Sequence, residues 1–168
     1  RFNPGEPGLQ LVDRFNWIPS WGIQYFLGVD GLSILMVLLT SFISMLAIAS
    51  TWNAVHTQVK QFYIFTLLLE TGMMGVFLAQ DLFLFYIFWE FTLVPMYFLI
   101  GIWGGARRVY ASIKFFLYTM AASLLMLLAI LYMGITAGTF SVPDLIAGRA
   151  AFAGVQNLLF LGFFVAFA

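Results

Sequence analysis

Four stretches of about twenty almost wholly apolar residues, 31–51, 61–79, 82–103 and 113–133, limit what this chain can fold into more than any other feature. A helix that crosses the hydrocarbon of a bilayer needs about 20 predominantly apolar residues. A fifth stretch, 150–168, is just long enough. The runs are apolar on every face and lack the alternation of a membrane barrel strand, so helices are the elements that satisfy the backbone in lipid. Hydrophobic residues are 63% of the chain and charged residues 8%, against roughly 45–50% and 25% in soluble domains. There is too little polar surface to face water. The expected fold class is an all-α polytopic membrane protein, a bundle of about five transmembrane helices.

Both ends read as cuts. The chain opens on the polar run Arg1-Phe2-Asn3-Pro4-Gly5-Glu6-Pro7-Gly8 and closes inside the apolar run 158–168, as expected of an internal piece of a longer protein. Residues 1–29, with Trp17, Trp21 and Tyr25, are expected to form an outward-facing loop or interfacial hairpin. The segment around Arg107, Arg108 and Lys114, and the linker holding His56 and Lys60, are placed on the cytoplasmic side by the positive-inside rule. Gln80-Asp81 and the 134–148 loop then face outward, with Arg149 a mild exception. The glycine pairs Gly101/Gly105 and Gly134/Gly138 sit at segment ends and read as turn residues rather than helix-packing motifs.

Composition also narrows the chemistry. Seven basic and seven acidic residues cancel, which removes nucleic acid as a partner. With no cysteine and His56 as the only histidine, the chain cannot build a cysteine zinc site, an iron–sulfur cluster or a bis-histidine haem site. Carboxylates, lysines, arginines and water remain. Glu70 lies about ten residues before the Gln80-Asp81 turn and Glu90 about nine after it, so in an antiparallel hairpin both sit roughly 14–15 Å below the outer interface. An ionised carboxylate at that depth costs at least about 2.5 kcal/mol, and such residues line cavities, pair with cations or carry protons. A protonated acid hydrogen-bonded inside the bundle is the plainer alternative for each. Pro95 frees the carbonyl of Phe91, beside Glu90, and Thr92 and Tyr86 are spaced to orient the carboxyl. Asp81 reads as a helix cap or a solvated loop residue. Lys114 near the inner end of the fourth run suits either a proton path or a snorkelling side chain. Gln156 and Asn157, opening the fifth run, are equally ambiguous.

The run Asp81-Leu82-Phe83-Leu84-Phe85-Tyr86-Ile87-Phe88-Trp89-Glu90-Phe91-Thr92-Leu93-Val94-Pro95-Met96-Tyr97 resembles the M-type, or chain 4, antiporter-like membrane subunits of proton-pumping NADH:quinone oxidoreductase, respiratory complex I. Further matching stretches are Leu27-Gly28-Val29-Asp30-Gly31-Leu32-Ser33, Ile102-Trp103-Gly104-Gly105, Lys114-Phe115-Phe116-Leu117-Tyr118-Thr119 and Leu161-Gly162-Phe163-Phe164-Val165-Ala166-Phe167-Ala168. The resemblance implies that Glu90 is the intramembrane glutamate of proton translocation, that Lys114 belongs to the same channel, and that Glu70, which falls where many members carry an acid, is a third candidate for proton translocation. It also implies that a partner lysine falls beyond Ala168, that flavin, iron–sulfur clusters and quinone sit on other subunits with no cofactor on this chain, and that its partners are the other membrane subunits and the lipid bilayer. The location implied is a bacterial cytoplasmic or mitochondrial inner membrane. Two other functions fit the same residues: a subunit of a multi-subunit monovalent cation/proton antiporter, and a passive scaffold whose acids only join helices.

Overall fold

The computed structural model describes every residue except Arg1, Pro4, Pro7 and Ala168, so the first residue of the N-terminal segment and the last of the fifth apolar run lie outside the described residues. Two strands, β1 (Gln10–Ile18) and β2 (Ile23–Val29), form an antiparallel hairpin and are followed by six helices. These are α1 (Gly31–Thr51), α2 (Val59–Leu78), α3 (Leu82–Trp103), α4 (Arg108–Ala137), α5 (Val142–Ala147) and α6 (Gln156–Phe167). The first four are long and apolar enough to cross a membrane.

Short polar signals decide where these helices start. Asp30 caps α1 by accepting from the backbone N–H groups of Leu32 and Ser33 at 3.0 and 2.7 Å, while Ser33 Oγ accepts from the Asp30 N–H at 2.8 Å. That reciprocal box satisfies donors that a helix start leaves unpaired. α4 runs for 30 residues rather than the 21 of its apolar run, because residues 108–112 and 134–137 continue the helix beyond it at its two ends. It stops at Gly138, whose φ of +69° is the left-handed conformation of a helix C-cap. Gly138 is thus a turn glycine as its position suggests. Gly134, by contrast, lies inside α4 with the Phe140 ring packed where a Cβ would stand, and Gly101 packs against Ser112 of α4.

The fifth span departs from expectation. Residues 150–168 do not form one helix: Arg149–Phe152 is a 3-10 turn, and α6 begins only at Gln156. Phe152 is buried against Leu145 and Leu159, and burying that ring bends the chain where an uninterrupted helix would leave it in lipid. The described part of α6 is the 12 residues Gln156–Phe167. The all-α expectation holds for the membrane part, and the N-terminal segment adds the two-stranded sheet.

α2 and α3 form a close antiparallel pair. A Cβ at Gly72 would lie 2.7 Å from Thr92 Cγ2, and one at Gly75 would run into the Phe88 ring. Phe65 stacks on Phe98 in the same register, with ring centroids 4.9 Å apart. Small residues let helix backbones approach where no hydrophobic force drives association. Gly75→Val is therefore expected to push α2 from α3 and cost about 1–3 kcal/mol, read as a lower unfolding temperature in detergent; an unchanged temperature would mean the pair has slack.

The loops divide between two ends. At one, the hairpin, the α2–α3 turn and the segment before α5 interlock: the Gln80 N–H donates to Phe26 O, the Val142 N–H to Gln80 O and the Leu82 N–H to Phe140 O, all at 2.8–2.9 Å. At the other, Trp103 Nε1 donates to Thr57 O at 2.8 Å. This second end carries Lys60, Arg107, Arg108 and Lys114 and no acid, the charge pattern that the positive-inside rule associates with an inner end, and it is called the inner end below. The buried core of Ile23, Met126, Ile130 and Phe140 lies toward the first end, under the hairpin.

Candidate functional site

Asp81 positions the helix that carries Glu90. It is fully buried; its carboxylate accepts from the N–H groups of Phe83 and Leu84 at 2.9 and 3.1 Å, and from the Gln24 N–H of β2 at 3.1 Å. It is a cap, not a solvated loop residue, and it also ties the hairpin to α3. Burial pushes its carboxyl above the usual range, against the pull of those three hydrogen bonds and of Arg14. Arg14 itself pairs with Asp144 at 3.3 Å.

Glu90 stands at mid-length of α3. Its Oε1 is buried and has no hydrogen-bond partner. A polar oxygen left so in an apolar setting is costly, commonly about 1–3 kcal/mol, and a catalytic or proton-carrying role is one of the reasons a native structure retains such a group. Tyr86, one turn earlier on α3, is beside both Glu90 and Ser123 of α4. Thr92 does not orient the carboxyl: its hydroxyl donates to the Trp89 carbonyl at 2.7 Å and its methyl faces Gly72. Trp89 stacks on Phe85 and meets the edge of Phe167 of α6, which walls that flank with aromatic surface. Pro95 is fully buried inside α3, so the Phe91 carbonyl lacks its helical donor.

The two acids do not share a level or a seam. The pairs Gly72–Thr92 and Phe65–Phe98 place Glu70 opposite Leu93, three residues inward of Glu90 and so about 4.5 Å deeper. Glu70 also shares its helix face with Met73 and Phe77, which line a small cleft with Thr40 and Ser44 of α1. It therefore looks to α1, not α3. Equal depth was expected from counting residues to the turn; the register of the packed helices corrects it.

Lys114 is farther away. Gly101 against Ser112 and Tyr97 against Phe116 set the α3–α4 register, which puts Ser123 level with Glu90 and Lys114 about 13 Å nearer the inner end. The lysine is exposed, lies 6.0 Å from the Tyr110 ring centroid, and lines an open groove of about 610 Å³ with Arg107, Arg108 and Tyr118. Its face is opposite the one α4 turns to α3. The structure thus assembles Glu90, Tyr86 and Ser123, and leaves Glu70 and Lys114 outside that group. Ser123 was missed in the sequence, although Ser112, Thr119 and Ser123 recur on one face of α4 at spacings of seven and four. Among the described residues no cluster of three His, Cys, Asp or Glu side chains is placed to hold a metal ion.

A family model described as NADH:quinone oxidoreductase/Mrp antiporter, TM, matches residues 79–168, from the turn before α3 onward and more than half of the chain. The chain belongs to this family. Among curated members, the NADH-quinone oxidoreductase subunit M of Rhodobacter capsulatus is 49% identical over 179 residues, covering 99% of this chain and 34% of that relative. The chain spans about a third of the length of the curated relatives it matches. Among solved structures, a chain of respiratory complex I from Thermus thermophilus with bound NADH superposes with a TM-score of 0.77 at 34% identity, covering 96% of this chain and 34% of that one. The Mrp complex from Dietzia sp. DQ12-45-1b superposes with a TM-score of 0.81 at 22% identity, over 96% of this chain and 18% of that one, a likeness of fold alone. The family, the helical membrane architecture and the antiporter-like character all stand on these matches and on the four apolar spans.

Proposed function

We propose that this segment carries protons for an NADH:quinone oxidoreductase, with Glu90 as the residue that takes up and releases them. The observation that carries the proposal is the buried, unpartnered Glu90 oxygen at mid-depth of a spanning helix. A fixed negative charge there is costly, so the group is suited to hold a proton and to give it up when the local field changes. That change would be relayed from quinone reduction on other subunits as a coupling free energy between distant sites. Flavin, iron–sulfur clusters and quinone belong to those other subunits, and the membrane is the bacterial cytoplasmic or mitochondrial inner membrane. The names of the curated relatives and of the complex I structure support this reading.

Lys114 acts from a distance in this scheme. At about 13 Å and an effective dielectric near 20 its charge bears on Glu90 by about 1 kcal/mol, too little for an ion pair and enough to bias a proton. Lys114→Met is expected to leave assembly intact and to move the pH profile of pumping upward by up to about one unit, because a lost cation makes the protonated acid easier to keep. An unmoved profile would return Lys114 to a snorkelling role at the inner interface. Glu70, on the α1 face, is assigned a supporting part in proton supply.

Inactivating the gene distinguishes this reading from a cation/proton antiporter. Membrane vesicles should lose NADH-driven proton uptake while the cells keep their sodium and lithium tolerance. Lost tolerance with intact NADH-driven uptake would instead establish the antiporter.

A further inference from the structure

Glu90 has neighbours on three sides, and only the α4 side offers it hydroxyls. Toward α2 it meets a helix whose one acid, Glu70, is turned to α1, with Lys60 and Tyr63 near the inner end. β2 packs on α3 at the outer end and contributes Tyr25, stacked on Phe15. α6 presents Phe167 to Trp89 and has no titratable side chain. On α4, Lys114 and Arg108 lie toward the inner end and Tyr110, Tyr118 and Tyr132 are exposed. Ser123 is the exception, 1% exposed and level with Glu90. Its hydroxyl donates to the Met120 carbonyl of its own helix at 3.0 Å, a bond that a serine can exchange for one to an acceptor on α3. Tyr86 stands between the two, next to both.

We propose that Tyr86, held by Ser123 across the α3–α4 seam, is a positioning residue that sets when Glu90 releases its proton. The proposal rests on the reading of Glu90 as the proton carrier. The phenol donates one hydrogen bond, and it can give that bond to a carboxylate but gains less from a protonated acid. When Glu90 ionises, turning its carboxylate toward Tyr86 satisfies the oxygen that otherwise has no partner. Ser123 then gives its proton to the phenol oxygen in place of the Met120 carbonyl, which holds the phenol in reach of that turn and leaves the phenol's own proton for the carboxylate. The pair therefore favours the ionised, α4-facing state of Glu90, and Glu90 protonated with its oxygen unpartnered is the alternate state.

The test uses the assembled complex in membrane vesicles and follows NADH-driven pumping against pH in Tyr86→Phe, Ser123→Ala, Ser123→Thr and Glu90→Gln. Tyr86→Phe keeps the ring and removes the donor, so the profile should shift to higher pH by about one unit, a tenfold change in proton affinity. Ser123→Ala should shift it in the same direction by less, Ser123→Thr should restore it, and the double variant Tyr86→Phe/Ser123→Ala should shift it no more than Tyr86→Phe alone. A serine that only satisfies its own helix would leave the profile where it was, and so unmoved profiles in Tyr86→Phe and Ser123→Ala, with Glu90→Gln inactive, overturn this inference and spare the role of Glu90. Pumping that survives Glu90→Gln overturns both.

Discussion

Glu90→Gln is expected to reduce NADH-driven proton pumping by at least about tenfold, since a positioned proton-transfer group is commonly worth about 10² to 10⁴ in rate. Glutamine has the size of glutamate and keeps an oxygen that can accept from Tyr86, so α3 should pack as before, and removing an ionisable group from the middle of the membrane should leave assembly unharmed or improve it. What is lost is titration alone. Glu90→Asp keeps titration but withdraws the carboxyl by one methylene from Tyr86, and an intermediate loss is expected. A scaffold role for Glu90 would give the opposite pattern: glutamine harmless, and aspartate the more damaging change.

Asp81→Ala is expected to be the most destabilising single change at the outer end, at about 3 kcal/mol or more. Losing a helix cap costs about 0.5–2 kcal/mol, and each buried donor left without an acceptor costs about 1–3 kcal/mol. Three donors depend on this carboxylate, those of Gln24, Phe83 and Leu84. The visible result should be a hairpin that detaches, read as protease cleavage between β1 and β2 at concentrations that spare the wild type. Acid should act differently on the two capping aspartates. Burial raises Asp81 above 3.8, so the folded form binds its proton more readily than the unfolded chain does, and acidification through the window between 3.8 and the raised value adds stability. Asp30 is held below 3.8, chiefly by the hydrogen bond from the Ser33 N–H. Its contribution is complete above 3.8 and disappears as pH falls through the lowered value. Hydrogen exchange corrected for intrinsic rates should then show the start of α1 loosening in acid before the start of α3. The reverse order would contradict these assignments.

The membrane makes part of this fold legible from sequence. Spanning helices must be long and apolar, so α1 and α3 can be read residue by residue, each beginning just after an aspartate that caps it. Glu90 is equally legible, because a charge in the middle of such a run has few uses. Hydropathy fails where the chain leaves the bilayer. It cuts α4 short at both ends, since a helix can continue past the residues that face the hydrocarbon, and it runs the fifth segment together, since it cannot see that Phe152 finds a buried site with Leu145 and Leu159. Side-chain direction is also beyond it. Glu70 and Glu90 look equivalent when counted from the turn at Asp81, yet the glycines of α2 fix a register that separates their levels and turns Glu70 to α1. The latch around Asp81 draws on Gln24 and on residues 140–142, and no local pattern could announce partners about sixty residues away on either side.

Infrared difference spectroscopy on the intact complex during NADH oxidation would observe the proton on Glu90 itself. A carboxylic acid C=O band should rise and fall with turnover, shift on Tyr86→Phe, and be absent in Glu90→Gln. A complex that pumps normally with no such band, or with a band unchanged in Glu90→Gln, would contradict the assignment of Glu90 as the proton carrier.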